Sequence, residues 1–398
     1  MEIKRRAFNQ LQHEISEPEI SVLLGARQVG KSTLLKQLEK EAKGKGYSTR
    51  FYNLELASDL EELAGNEKDI FEKLSSAAQI VFIDEFHYLK NAFKIFKAIY
   101  DSNSKVKIFA SGSSSIEIHK HLKESLVGRF KKTMIYPLSF EELQQIPSFK
   151  LQTYCQWGGM PGLIHRNSLP SKAELLENIV STYLTKDIKA LIQEENVRAF
   201  NSLLYMLAQN QGSLGVVANL AREIGISEST VARHLETMSQ TYVCHALSSY
   251  SSNMANELKK SKKYYLFDLG IRNSLLKDFR PISQREDQGI LHESFIFLEL
   301  IQQLKPNMEI RFWRTKKGEE VDFILLKNRI PVPIEVKSHL QGMSIPGGIQ
   351  IFLKNYPRAP FGIVFNTHLT GETLSENRPV FFKRLEEVTD LEYLKEIL

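Results

Sequence analysis

Only two cysteines, Cys155 and Cys244, occur in 398 residues. They stand far apart in the chain, so neither a disulfide framework nor a cysteine metal site is supported, and a reducing cytoplasm fits best. No apolar run approaches the roughly 20 residues that cross a bilayer. The basic N-terminus, with Lys4, Arg5 and Arg6, has no apolar signal core behind it, so no membrane partner is expected. Charge is not strongly one-sided either. The chain carries 52 Lys and Arg against 47 Asp and Glu, a net charge of +5 that permits nucleic acid as a partner without requiring it. Apolar residues, by contrast, are plentiful. At 42% hydrophobic and 25% charged, the chain is globular and well cored, and its length calls for two or three domains.

The pattern G-x-x-x-x-G-K-[ST] occurs once, as Gly25, Gly30, Lys31 and Ser32. The apolar run Ile20 to Leu24 before it reads as a buried parallel strand, and a helical run starts at Ser32. That strand–loop–helix setting separates a phosphate-binding loop from a chance glycine-rich turn. Such a loop wraps backbone N–H groups around nucleotide phosphates and aims a helix N-terminus at them. The nucleotide-binding stretch is therefore Gly25, Ala26, Arg27, Gln28, Val29, Gly30, Lys31, Ser32 and Thr33. Lys31 is expected to reach the β- and γ-phosphates of ATP and Ser32 to hold Mg²⁺, while Arg27 is expected to face solvent.

Four apolar residues then run into two acids at Asp84 and Glu85. A carboxylate at the carboxyl end of a parallel strand sits where such sheets present ligands. Asp84 is expected to support Mg²⁺ and Glu85 to orient or deprotonate the attacking water. Lys107 to Ser111 reads as a further strand. Ser111 and Ser113 are candidates to sense the γ-phosphate, a role compatible with capping a helix that begins near Ile116. Arg129 is the candidate for stabilising transition-state charge, in cis or from a neighbouring subunit; it would equally serve to pin a loop to a carboxylate.

Taken in order, GlyAlaArgGlnValGlyLysSerThr (25–33), IleAspGluPheHis (83–87), AlaSerGlySerSerSer (110–115), LeuValGlyArgPhe (126–130) and TyrProLeuSerPheGluGluLeu (136–143) resemble a family of AAA-superfamily ATPases found in bacteria and archaea. Members typically continue into a C-terminal domain of unknown function. The resemblance covers about the first 145 residues and implies an AAA-type domain over 1–145. It also implies a homo-oligomer in which a neighbour's arginine completes the site. One departure is Phe86-His87, where such proteins often carry Ile-Gln. If that glutamine senses nucleotide, His87 does so differently or not at all.

The turn-rich stretch 157–162 is followed by a long amphipathic run, Lys172 to Ile192, giving a helical connector over 146–195. Val197 to Gln209 and Val216 to Ile224 read as helices. Gly225 and Ser227 then make a tight turn into a further helical run, the signature of a helix-turn-helix. With Tyr242 to Tyr250 and Lys263 to Phe267 as wing strands, and Lys259, Lys260, Lys262 and Lys263 in the loop between them, residues 196–280 read as a winged-helix-like domain. Its candidate recognition helix offers Arg233 and His234 but also Glu228 and Glu236, unlike a groove-reading helix rich in Arg, Lys, Asn and Gln. Phosphate contact through the wing, base reading and a purely protein-contacting role stay open.

From Gln288 the pattern changes. Glu293 falls in the apolar stripe of a helix with Ile290, Phe297, Leu300 and Leu304, and an acid there is costly unless paired or metal-bound. In the strand Glu319 to Leu326, Val321, Phe323 and Leu325 are expected on one face and Asp322 on the other. In the strand Ile330 to Ser338, Glu335 and Lys337 project together. A helical Glu, then Asp, then Glu-x-Lys on adjacent strands is similar to the PD-(D/E)XK phosphodiesterase superfamily, although valine precedes Asp322 where the motif name has proline. The resemblance carries over Glu293, Asp322 and Glu335 as ligands of a divalent ion, with Lys337 positioning water or steadying developing charge. Arg311, Arg314, Lys316 and Lys317 lie nearby to guide a phosphate backbone.

The expected class is α/β throughout, ending in a C-terminal α/β nuclease-like domain over 281–398. Two functions follow. In the first, ATP binding and hydrolysis gate a Mg²⁺-dependent nuclease acting on DNA or RNA. In the second, an ATP-dependent regulatory or scaffold protein uses a non-cleaving nuclease-like domain to bind its partners.

Overall fold

In the computed structural model, residues 3–102, 104–113, 128–182, 197–251 and 261–389 are described. They form two compact units, Met1–Leu138 with Thr237–Val243, and Ser139–Glu236 with Cys244–Leu398. Among the described residues no helix is long and apolar enough to cross a membrane.

The first unit is built on β1 (Ile20–Gly25), β2 (Thr49–Asn53), β3 (Ile80–Asp84), β4 (Lys107–Ser113) and β5 (Phe130–Met134), in spatial order β2-β3-β4-β1-β5. Every pairing is parallel. Parallel strands are covered on both faces, which is why β1 and β3 read as mainly apolar runs and are buried along their whole length, with Ser21 in β1 donating to Glu14. Val22, Leu24, Val81, Ile83, Ile108 and Ala110 meet Leu74, Ile95, Phe96 and Ile99 from the flanking helices in one core. The helices start where the sequence supplies caps: Asn66 accepts from the backbone N–H groups of Lys68 and Asp69 in a capping box at the head of Glu67–Ala77. All five strands point the same way, so β1, β3 and β4 deliver their carboxyl ends to one edge of the sheet.

The second unit contains a small antiparallel sheet and a larger mixed one. β6 (Leu214–Gly215), β7 (Cys244–Leu247) and β8 (Lys262–Leu266) are ordered β6-β8-β7. In chain order this unit also holds the helices Val197–Gln209 and Val217–Ile224 and most of Glu228–Gln240, whose last residues belong to the first unit. Gly225 ends the second of these with φ 79°, a left-handed cap that glycine adopts without steric cost. The Ser227 hydroxyl accepts from the Thr230 N–H at 3.2 Å to start the third. His234 is fully buried against the ring of Phe200, 5.4 Å away, so it is a core residue and not a base reader. The strand expected over 242–250 is shorter, Cys244–Leu247. The long helix expected over 172–192 runs over Leu169–Thr182 as far as the structure describes it. Lys259 and Lys260 lie outside the described residues.

The larger sheet comprises β9 (Met308–Arg314), β10 (Glu320–Lys327), β11 (Ile330–Lys337), β12 (Gly362–Asn366), β13 (Gly371–Ser375) and β14 (Arg378–Arg384), in order β13-β14-β12-β11-β10-β9. β9 to β11 are antiparallel neighbours, and β11, β12 and β14 pair in parallel. The expected alternation of Val321, Phe323 and Leu325 fails for a local reason. A bulge in the β9–β10 register between Val321 and Ile324 puts Val321 and Ile324 into the cluster around Phe352, while Phe323 packs against Phe297 and Tyr265.

This unit is tied together by a buried polar hub that the motifs did not reveal. Asp287 accepts from Arg272 and Arg285, each at 2.7 Å, and both arginine side chains are 1% exposed. Arg272 also donates to the Ala208 carbonyl at 2.9 Å, and Asn273 donates to the carbonyls of Cys155 and Gln156. Four helices therefore meet at one knot, two buried arginines around a shared carboxylate.

Candidate functional site

In the first unit the loop after β1 is shaped by its glycines. A Cβ at Gly25 would lie 2.1 Å from the Ile135 carbonyl oxygen, so only glycine allows the close approach of β1 to the chain after β5. Gly30 holds φ 93° as the N-cap of the Lys31–Gly44 helix. Lys31 is 4% exposed, and its ammonium donates to the carbonyls of Gly25 at 3.2 Å and Ala26 at 2.9 Å. It also lies 4.0 Å from Glu85 Oε1. Ser32 is half-buried, Gln28 and Thr33 are exposed and Val29 is buried, while the helix beyond buries Leu34, Leu35, Leu38 and Ala42. Arg27, expected to face solvent, is half-buried.

Because β4 lies between β3 and β1, Ser111 stands between the acids and the loop. Its hydroxyl donates to Asp84 Oδ1 and accepts from the Glu85 N–H at 3.3 Å. Glu85 has left-handed φ 55°, a conformation that costs an ordinary residue about 1–2 kcal/mol. His87 Nδ1 is 3.2 Å from Glu85 Oε2. Lys31, Asp84, Glu85 and Ser111 are thus brought together at one sheet edge. Ser113 closes β4 opposite Gly25 in register, and its side chain lies outside the described residues.

Arg129 is not brought there. It immediately precedes β5, and its carbonyl accepts from the Ile20 N–H at the amino-terminal end of the sheet. Its guanidinium pairs with Asp101 at 2.6 Å. Within one chain it stands at the end of the strands opposite the loop, so the cis role does not fit; a loop-pinning contact with a carboxylate is what the geometry gives.

Arg5 supplies a contact that sequence reasoning missed. It is buried and donates to Val29 O at 2.8 Å and Tyr136 O at 2.7 Å, bracing the phosphate loop from outside. The only trace in the sequence is a basic pair, Arg5-Arg6, which resembles ordinary surface.

In the second unit, Asp322 and Glu335 interlock across β10 and β11. Asp322 Oδ2 accepts from the Val336 N–H at 2.8 Å, and Glu335 Oε2 accepts from the Asp322 N–H at 3.3 Å. Lys337 pairs with Glu335 Oε1 at 2.7 Å. Glu293 turns to other partners: the Tyr265 hydroxyl donates to it at 2.5 Å, and the Lys263 ammonium lies 3.5 Å away. Lys263 is not the exposed wing-loop residue expected. It lies in β8, 2% exposed, 2.5 Å from Glu320 Oε1. Burial opposes its charge, but Glu293, Asp322 and Glu320 together hold its pKa above the ordinary lysine value. Burial and the repulsion from Asp322 push Glu293 up to about 7 and Glu335 up to about 8. Burial likewise raises Asp322.

The metal expectation for Glu293, Asp322 and Glu335 therefore does not fit this arrangement. Glu293 Oε1 is engaged by Tyr265 and Lys263, Asp322 Oδ2 by the Val336 N–H, and both Glu335 oxygens by Lys337 and the Asp322 N–H. Among the described residues no three His, Cys, Asp or Glu side chains converge to hold a metal ion. The phosphate-guiding arginines are similarly engaged, Arg311 with Glu309 at 2.8 Å and Arg314 with Glu320 at 3.0 Å. Lys263 and Tyr265 escaped sequence reasoning because a Lys-rich stretch ordinarily means a solvated loop; their i, i+2 spacing on a strand was the available signal.

Comparison with known proteins adds the following. Residues 17–144 match the family described as an AAA domain. Two further families, each described as a domain of unknown function, match residues 148–281 and 288–383. An uncharacterised protein of Mycobacterium tuberculosis is 25% identical over 339 residues, covering 84% of this chain and 74% of its own length. An uncharacterised protein of Methanocaldococcus jannaschii is 25% identical over 331 residues, covering 77% and 72%. Among solved structures, AMPPCP-bound DnaA from Aquifex aeolicus aligns at 13% identity with a TM-score of 0.31, over 59% of this chain and 86% of that one. That last likeness is too slight to bear on function. The parallel sheet, the loop at its edge and the family match together make the N-terminal part of the chain an AAA-type, P-loop ATPase-like domain.

Proposed function

We propose that the chain is an ATP-binding and ATP-hydrolysing switch whose nucleotide state acts on its C-terminal half. The observation that carries this reading is the meeting of Lys31, Asp84, Glu85 and Ser111 at the carboxyl edge of one parallel sheet. The loop N–H groups cradle the phosphates, and Lys31 exchanges its carbonyl contacts for phosphate oxygens. Ser32 and Asp84 offer the hard oxygen donors that suit Mg²⁺, which neutralises phosphate charge when bound. Glu85 orients the attacking water, and Ser111, with Ser113, responds to the γ-phosphate. Arg129 would act on a nucleotide only across a homo-oligomer.

The helices and three strands over 197–266 support the winged-helix-like reading. The order helix, β9, β10, β11, helix, β12, with Glu293, Asp322, Glu335 and Lys337 on it, supports the resemblance to PD-(D/E)XK nucleases. The side chains fit a non-cleaving version best, a binding module for DNA, RNA or a protein partner. A second reading, an ATP-gated Mg²⁺-dependent nuclease, is favoured by Asp322, Glu335 and Lys337 lying side by side. Incubating the full chain with DNA and RNA, Mg²⁺ or Mn²⁺, and ATP separates the two. ATP turnover without cleavage is the expected result. Cleavage abolished by Asp322→Ala or Lys337→Ala would establish the nuclease instead.

A further inference from the structure

The hairpin end of the larger sheet carries a cavity of about 480 Å³ that lies entirely within the second unit. Its walls come from the start of β9, the turn between β10 and β11, the chain at Tyr250 and the end of the helix Gly347–Asn355. None of Glu293, Asp322, Glu335 and Lys337 lines it. One wall is aromatic and held in place. The Tyr356 ring stacks on Phe352 with centroids 4.4 Å apart, and its hydroxyl accepts from the Trp313 indole N–H at 3.2 Å. The Tyr250 ring lies 5.2 Å from that of Tyr356. The rim is polar, with amides from Asn307, Asn328 and Asn355, and Asn307 donates to Asn328 at 2.9 Å. Arg311 is answered by Glu309 at 2.8 Å. Arg329 and Arg358 are exposed on the same rim, and neither guanidinium has an ion pair or hydrogen bond among the described residues. Arg329 also stands where an arginine is not favoured. Lys327 and Ile330 pair across β10 and β11, leaving Asn328 at φ 50° and Arg329 at φ 65° in a two-residue turn. A turn with both central residues left-handed prefers Asn-Gly, so this one places a cation on the cavity at a cost that glycine avoids.

We infer that this cavity binds a nucleotide unit, separately from the phosphate loop: Arg329 and Arg358 take the phosphate, and base and sugar lie against Tyr250, Tyr356 and the asparagine amides. Guanidinium groups match phosphate oxygens in charge and in donor geometry. Amides offer both a donor and an acceptor, which the edge of a base requires, and tyrosine rings accept any base face. The volume falls within the roughly 300–1,000 Å³ of small-ligand sites. The inference rests on the binding-module reading of the second unit and is independent of ATP turnover in the first. A free nucleoside monophosphate and one nucleotide of a single strand present the same groups to the cavity.

The test measures binding of thymidine 5′-monophosphate by calorimetry, and of a 3′-fluorescein-labelled 12-nucleotide oligothymidylate by anisotropy, to the full chain. Both are done in EDTA, so that cleavage, the result that overturns the non-cleaving reading, does not enter them. Arg329→Gly and Arg358→Ala are each expected to lower affinity about tenfold or more, the effect of losing a charged hydrogen bond. For the oligonucleotide each should also lower the slope of log affinity against log salt by about 0.7. Arg329→Gly relieves the left-handed turn, so its melting temperature is expected to equal or exceed that of wild type, which a purely structural arginine would not give. Lys354→Ala combined with Arg384→Ala, two exposed cations outside the cavity, should leave affinity within about twofold. Tighter binding of the oligonucleotide supports the inference and assigns a single strand; equal or tighter binding of the monophosphate supports it and assigns a free nucleotide. Binding of neither probe overturns it, as does binding that Arg329→Gly with Arg358→Ala leaves unchanged. Inorganic phosphate competing as well as the monophosphate overturns the nucleotide assignment.

Discussion

Lys31→Ala is expected to lower ATP turnover by about a hundredfold or more, the usual consequence of removing a charged donor from a phosphoryl-transfer site. The fold should survive. Lys31 donates to the Gly25 and Ala26 carbonyls, and losing those two buried contacts costs about 1.5 kcal/mol each, a cost confined to the loop and not to the sheet core. Phosphate release measured beside far-ultraviolet circular dichroism checks both halves of the statement. Unchanged turnover in a folded Lys31→Ala protein would remove Lys31 from the phosphate site. The same variant also bears on coupling: if ATP alters hydrogen exchange over 261–389 in wild type, Lys31→Ala should erase that alteration.

Asp287→Asn is expected to destabilise the second unit by about 3 kcal/mol. The substitution leaves Arg272 and Arg285, each buried, facing one another with their shared carboxylate gone. The size follows from leaving buried charge uncompensated, not from the intrinsic worth of the pair. A pH dependence accompanies it. Burial opposes ionisation of Asp287, but hydrogen bonds from Arg285 and Arg272 outweigh it and hold the folded pKa at about 2, against an ordinary value near 3.9. Because the folded value is the lower one, the stability contributed is fully present above about pH 4 and is lost as pH falls towards 2. Urea titrations at pH 6 and at pH 3 should show the wild-type advantage over Asp287→Asn shrinking at the lower pH. An advantage that stays constant between those values would mean that Asp287 is not the group being titrated.

The sheet of the first unit was legible because parallel strands buried on both faces leave a run of apolar residues, and because Gly25, Gly30, Lys31 and Ser32 occur at fixed spacing. Asp84 and Glu85 were legible for the same reason, as acids ending such a run. What the sequence does not express is which distant residue completes a site. Arg5 braces Val29 from 24 positions away, and nothing in a single basic residue announces that. Arg129 misled because spacing along the chain says nothing about which end of a strand a residue occupies. In the second unit, the alternation of β10 was broken by a bulge, a one-residue event below the resolution of pattern reading. Lys263 misled most. Lysines in a row are ordinarily solvated, and only the folded sheet reveals that one of them turns inward while its neighbour Lys262 is exposed. Glu293, Asp322 and Glu335 read from the sequence as ligands of one divalent ion, whereas the fold gives Glu293 to Lys263 and Tyr265 and Glu335 to Lys337 on its own strand.

The central claim is that the first unit hydrolyses ATP using Glu85 held beside Lys31. Steady-state phosphate release by the full chain with Mg²⁺ and ATP, compared with Glu85→Gln alongside fluorescent-nucleotide binding, tests it most directly. The account predicts that Glu85→Gln binds ATP as wild type does but turns it over about a hundredfold or more slowly. Equal turnover by the two proteins, or no turnover by a wild-type chain that binds ATP, would contradict it.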